Sequence, residues 1–288
     1  MNAPSTTDTD VCLDHAGFIV RDLDTSCELL FQLGFTLTHR ADHTRTNEKG
    51  ALVSVGSSQR SIMLGNGYIE VMQITDPAAG HQLAAAPSAR FGLHVLAFGT
   101  SDAQACHDIR VQNGVAAGPV LLWAREIREE GLRGLAHFVY FGSKWVPQDP
   151  SYICWTEHRN PELLRSPALV RHDNGALGLA ALRYRGPRGR AQAWISQLLA
   201  GGARRENESA DSVELALPNA RLHIDFDDTQ REVLPSALVF DVSDCAWLRA
   251  RCAQLGLTAR DMADGSMDVD LSEQLGLHCI FQAKPAAL

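Results

Sequence analysis

The chain has no run of about 18 consecutive apolar residues, the length a helical membrane span requires, so no transmembrane helix is expected in its 288 residues. Its first ten residues are polar and acidic, without the basic-then-apolar order of an export leader. A cytoplasmic protein with no membrane partner is the expectation. Positive charge is also in short supply. The 26 Lys and Arg stand against 34 Asp and Glu, a formal net charge of −8, and no basic stripe interrupts the balance. Binding along a nucleic-acid backbone is therefore not expected. The seven cysteines, at 12, 27, 106, 154, 245, 252 and 279, include no Cys-x-x-Cys pair. An odd, scattered set without an export signal predicts free thiols in a reducing compartment. Phosphate loops, Gly-x-Gly-x-x-Gly after a strand and Gly-x-Ser-x-Gly elbows are all missing, which disfavours nucleotide and serine-hydrolase chemistry.

What is present is a repeat. Residues 11–20 read as a strand, and 25–33 as an amphipathic helix with Asp24 at its N-cap and Gly34 at its end. Strand-like stretches follow at 51–56, 61–64 and 68–74. The same order returns with a strand at 92–98, a helix at 103–112 stopped by Gly114, and strands at 120–123, 136–141 and 152–156. A third copy starts near 180–185, has its helix at 191–199 and ends at 221–226. A fourth runs from a strand at 237–242, through a helix at 245–255 capped by Ser243 or Asp244, to a strand at 277–282. The turn Leu64-Gly65-Asn66-Gly67 of the first copy compares with Leu217-Pro218-Asn219-Ala220 of the third. Residues 157–174, with two prolines and no strand period, read as a connection. The expected organisation is an unstructured 1–10, a half at 11–156 (modules 11–80 and 91–156), the connection 157–174, and a half at 175–288 (modules 175–230 and 236–288).

Leu13-Asp14-His15, Arg21-Asp22-Leu23-Asp24, Leu33-Gly34-Phe35 and Gly67-Tyr68-Ile69-Glu70 occur in that order. On these residues the sequence resembles the vicinal oxygen chelate superfamily and its glyoxalase-like domain proteins. The resemblance is specific in the first module, good in the second and only in outline beyond. It implies an α+β fold in which four βαβββ modules pair into two cupped mixed sheets. It also implies a divalent metal (Zn, Ni, Mn or Fe) held in a cup by residues of the first and last strands. Carried onto this chain, the metal ligands are His15, Glu70 and His94, a two-His-one-carboxylate set. Cys154, Glu157 and His158 are further candidates from the last strand of module two. The core alternative for His94 is packing, since it shares a strand face with Leu96 and Phe98. The second half has no His in its first strands. Its last strands carry His223 and His278 without a Glu in register, so a partner or scaffold role is expected for it.

Around the implied cup, His39 and His43 flank a loop with Arg40 and Arg45. It reads as solvated, with His43 the contact for a substrate. Trp123, Trp145 and Trp155 are weighed between core packing and lining the cup, with Trp123 and Trp155 the substrate-binding candidates. Residues 126–133 read as a mixed-charge solvated turn. The implied function is a metal-dependent lyase or isomerase that chelates a small oxygen-rich metabolite, with Glu70 or Glu157 moving the proton. The alternatives are a non-catalytic ligand-sequestering protein of the bleomycin-resistance kind, or a ring-cleaving dioxygenase relative using Fe(II). Paired modules can meet within or between chains, so a homodimer is a further expectation.

Overall fold

A computed structural model describes residues 11–47 and 49–284; residues 1–10, expected to be unstructured, lie outside the described set. The element order repeats four times as strand, helix and three strands. The first module is β1 (Cys12–Ile19), α1 (Leu23–Gln32), β2 (Ala41–Thr46), β3 (Leu52–Leu64) and β4 (Gly67–Ile74). After a short helix, α2 (Ala86–Ala89), the second is β5 (Gly92–Gly99), α3 (Ala103–Gln112), β6 (Leu121–Glu129), β7 (Leu132–Gly142) and β8 (Tyr152–His158). The third is β9 (Ala176–Gly186), α4 (Arg188–Ala200), β10 (Arg204–Glu208), β11 (Ser212–Leu217) and β12 (Ala220–Phe226). The fourth is β13 (Leu234–Val242), α5 (Ala246–Leu255), β14 (Ala259–Asp261), β15 (Met267–Leu271), the short α6 (Ser272–Leu275) and β16 (Leu277–Ala283). This is the expected α+β architecture of paired modules. No helix among the described residues is long and apolar enough to cross a membrane.

The two sheets differ in closure. The first is a closed barrel in the order β1-β4-β3-β2-β6-β7-β8-β5, whereas the second is an open eight-stranded sheet in the order β10-β11-β12-β9-β13-β16-β15-β14. Closure comes from β2 meeting β6, where Thr44 and Arg45 pair with Ala124 and Trp123. In each half the first strands of the paired modules run antiparallel, β1 with β5 and β9 with β13, and each runs parallel to the last strand of its own module. One apolar core runs through both halves, and it includes Phe18, Phe35, Phe98 and Trp155 with Tyr184, Trp194, Phe240 and Phe281.

Local chemistry corrects several boundaries. The α1 N-cap is Asp22, not Asp24: its backbone is extended, and its carboxylate accepts the Thr25 N–H at 2.7 Å. At α5 the N-cap is Cys245, and Asp244 accepts the Ala246 N–H at 2.8 Å from one position further out. The stretches 51–56 and 61–64 are one strand, β3. The Ser57-Ser58-Gln59 run between them is buried: Ser57 meets His43 inside the barrel, and Ser58 bonds Asp42 on the opposite face. Residues 41–46 form β2, where a loop was expected. Residues 126–133 belong to the β6–β7 hairpin, whose tip is Glu130-Gly131 with Gly131 at φ 75°.

The halves are clasped by the two turn asparagines that recur in modules one and three. Asn66 Nδ2 donates to the carbonyls of Leu179 (2.8 Å) and Asn219 (3.0 Å), and its Oδ1 accepts the Leu179 N–H at 2.9 Å. Asn219 accepts the Leu13 N–H at 2.8 Å and donates to the carbonyls of Leu13 and Asn66, both at 2.8 Å. Each amide thus satisfies the end of a first strand in the opposite half. A partly buried backbone group left without a partner costs about 1–3 kcal/mol, so Asn219→Ala is expected to destabilise the chain by about 2–4 kcal/mol. Urea unfolding measures this, and a loss below about 0.5 kcal/mol would show the clasp to be incidental.

Candidate functional site

The barrel interior holds a cavity of about 80 Å³, several times the space one water needs. Alternation sends every second side chain inward: His15 from β1, His43 from β2, Tyr68, Glu70 and Met72 from β4, Trp123 and Arg125 from β6. Phe138 and Tyr140 of β7, and Tyr152, Cys154 and Thr156 of β8, complete much of the wall. Apolar side chains pack toward both ends of the interior. Leu83 and Ala86 pack with Ile19, Met72 and Tyr140 at one end, and Leu164 and Leu169 with Met63, Tyr68 and Ile127 at the other. Gly142 makes room for the wall, since a Cβ there would fall 1.6 Å from the Tyr152 hydroxyl.

Two carboxylates organise the histidines. Asp14 accepts from His15 Nδ1 and from His158 Nε2, each at 2.8 Å. Burial acts to raise the Asp14 carboxyl, but His158 and His15 outweigh it and hold it well below the usual range. An ionised Asp only accepts, so His15 carries a proton on Nδ1. In the neutral ring Nε2 is then a lone pair, and it has no hydrogen-bond partner among the described residues. The His15 ring stacks on Tyr68, centroids 4.4 Å apart, which fixes its plane. Glu70 accepts from His43 Nε2 at 3.1 Å, and His43 Nδ1 lies 2.9 Å from the Ser57 hydroxyl. Burial again acts upward on the Glu70 carboxyl, yet His43, His15 and Arg125 bring it down to about 2.

His81, on the segment between modules one and two, is the contributor that sequence reasoning missed. No period or motif marks it; only the fold carries that segment across the cavity. Its Nδ1 accepts the Leu83 N–H at 3.1 Å, so the neutral ring carries its proton on Nε2. Burial, helped by the His43 charge, lowers its pKa to about 3, which keeps it neutral. Tyr68, Arg125, Tyr140 and Tyr152 were also not foreseen. Arg125 lies just before the mixed-charge stretch 126–133, and the tyrosines look like ordinary strand apolars.

Of the residues singled out from the sequence, His15, Glu70, His43 and Trp123 come together around the cavity, with Cys154 opposite. Three do not. His94 is fully buried, but it is Val95 of β5 that lines the cavity. The His94 Nε2 bonds the Arg90 carbonyl at 2.9 Å, and the ring packs edge-on against Trp145. Glu157 points to the outer face, where it accepts the Ala103 N–H at the start of α3 (2.9 Å) and pairs with Arg159. Trp155 lies on the same outer face, stacked on Phe141 at 4.8 Å and donating to the Gly201 carbonyl. In a strand, residues 155 and 157 face away from 154 and 156, which accounts for both. The set His15, Glu70 and His94 is thus not assembled. No group of three or more His, Cys, Asp or Glu among the described residues is disposed to hold a metal ion. These donors do not fit a divalent metal as they stand.

The profile of the family described as "Glyoxalase-like domain" matches residues 13–199, more than half of the chain. The chain belongs to the glyoxalase-like domain family. Solved structures extend the likeness across both halves of this glyoxalase-like chain. A hypothetical protein from Staphylococcus aureus superposes with a TM-score of 0.67 at 10% identity, covering 95% of this chain and 100% of that one. A mutant of 4-hydroxymandelate synthase from Streptomyces coelicolor gives 0.57 at 13% identity, covering 97% of this chain and 94% of that one. A xylose isomerase-like TIM barrel/4-hydroxyphenylpyruvate dioxygenase fusion protein gives 0.54 at 13% identity, covering 99% of this chain and 50% of that one. At such identities the likeness is one of fold. No curated protein matches the sequence.

The buried neutral histidines set an acid limit on stability. His81 is held near 3 and His94 near 4, both by burial first, against an ordinary 6.5. Between those values the unfolded chain binds protons that the folded chain does not, so stability falls as pH drops below about 6.5. Glu70, held near 2 against an ordinary 4.5, contributes stability present above 4.5 and lost below it, which steepens the fall. Chemical denaturation at pH 7.5, 6.0 and 5.0 is expected to show decreasing stability, with a shallower slope in His81→Gln. A flat profile in the parent protein contradicts the assignment of neutral histidines.

Proposed function

We propose that the barrel cavity is the active centre of a lyase or isomerase that moves a proton next to a carbonyl group of a small oxygen-rich metabolite. The observation that carries this reading is a pair of cavity imidazoles with opposite free valences, a lone pair on His15 Nε2 and an N–H on His81 Nε2. His15 takes the proton from the carbon beside the carbonyl, and Asp14 stabilises the imidazolium that forms. The neutral His81 N–H donates to the carbonyl oxygen as negative charge builds there. For an isomer, His15 returns the proton to the former carbonyl carbon as the adjacent hydroxyl's proton passes to the oxyanion; for a lyase, it protonates the departing group as that group's bond breaks. Glu70, ionised and already engaged by His43, is assigned to positioning, in place of the proton-moving role the resemblance implied.

Enclosure and aromatic walls also favour a second reading, ligand sequestration without turnover. A dioxygenase reading draws on the name of one fold neighbour, but no group of three or more His, Cys, Asp or Glu among the described residues is disposed to hold the metal it needs.

Proton NMR in D₂O separates these readings through the α-protons of dihydroxyacetone and 2-oxobutyrate. The enzyme is expected to exchange them above background, and His15→Gln to slow this by about 10²–10⁴-fold. Exchange should survive chelator treatment, and metal analysis should find less than one ion per chain. A rate abolished by chelator and restored by metal overturns the metal-free mechanism. Tight binding of either compound without exchange favours sequestration.

A further inference from the structure

Within the cavity the charges are unevenly matched. Asp14 has His15 and His158, and Glu70 has His43, each within hydrogen-bond reach. Arg125 has no such partner. It is 3% exposed, yet no carboxylate among the described residues lies within ion-pair distance of its guanidinium. Glu70 is near enough to feel its charge but does not contact it. The one recorded hydrogen bond of the side chain is a long contact, 3.4 Å from Nη1 to the Ser61 hydroxyl. Its remaining support is the Phe138 ring, 5.4 Å below the guanidinium carbon. The buried Nε–H has no acceptor among the described residues.

A buried, permanently charged fork with most of its five donors idle is costly unless something supplies acceptors. A second idle donor stands two residues away on the same face of β6: the indole Nε1–H of Trp123, also buried without a partner. Both residues line the same cavity. The surrounding wall of Phe138, Tyr140, Tyr152 and Met72 is apolar or aromatic. A planar anion answers this arrangement, because a carboxylate offers two oxygens at the spacing of the guanidinium fork.

We infer that the cavity recognises a carboxylate-bearing ligand, with Arg125 holding the carboxylate and Trp123 contributing a second donor or an aromatic wall. The inference rests on the reading of the cavity as the substrate site, and narrows its substrate to a small oxo or hydroxy acid. Arg125 is then a specificity-determining residue for that reaction.

Equilibrium titration by Trp fluorescence or calorimetry tests it with benzoate and its neutral isostere benzamide. Benzoate is expected to bind at least tenfold more tightly than benzamide. Arg125→Met should bring benzoate down to the benzamide affinity while leaving benzamide unchanged, and Arg125→Lys should recover part of the difference. Equal binding of the two probes, no binding of benzoate at millimolar concentration, or an Arg125→Met protein that binds benzoate like the parent each overturns the inference. The parent protein's benzoate-to-benzamide ratio decides the matter even where a variant fails to fold. Because binding is read without turnover, failure of the proton-transfer reading leaves a benzoate preference standing. Conversely, exchange of dihydroxyacetone without any benzoate preference overturns the anion site alone.

Discussion

Everything about the cavity depends on one stretch of backbone pairing, the contact of β2 with β6 that shuts the first sheet into a barrel. An open sheet exposes one face and leaves two edges to solvent; a closed one has an inside with no edge. Closure turns the polar residues of β2 and β3 inward, away from bulk water, and brings His43 over Glu70. Once inside, carboxylates need partners, because burial without them drives the proton on. The histidine pairings of Asp14 and Glu70 are therefore a consequence of closure as much as of sequence.

The second half shows what the same module order does without that contact. Its sheet ends in β10, every residue of which is exposed, and in the three-residue β14. Its histidine–carboxylate pairs, His223 with Glu214 and His278 with Asp268, lie on partly exposed strands where water competes with each pair. Pairs of that kind contribute little. What the second half does supply is core and clasp: α4 and α5 pack into the shared interior, and Asn219 ties off the start of β1. It thereby holds in place the strand that carries Asp14 and His15.

The sequence made the repeat legible because helix caps, glycine stops and apolar strands recur at matching intervals, and all four modules fold in that order. The failures share a physical cause. Ala41–Thr46 carries no apolar alternation, and Ser57-Ser58-Gln59 looks like a turn, because the interior these strands face is polar. The β6–β7 hairpin looks solvated for the same reason, although Arg125 and Glu129 of β6 are buried. His94 shares its module position with His15, but register shifts in the β1–β5 pairing leave Val95 facing the cavity instead. His81 had no sequence signal, since a residue on a connecting segment acquires a role only from where that segment crosses.

The arrangement of free valences then limits the chemistry. Glu70 cannot serve as an effective base near neutrality, because a carboxyl held near 2 binds a proton too weakly. Tyr68 and Tyr140 are pushed in the opposite direction by burial and stay protonated, as does the Cys154 thiol. Among the groups that face the cavity, this leaves His15 as the one lone pair backed by a carboxylate, and His81, Arg125 and Trp123 as donors. A base on one side and donors on the other suit a ligand that gives up a proton and gathers negative charge on oxygen. The same polarity disfavours a cationic ligand, which would add a second unmatched positive charge beside Arg125.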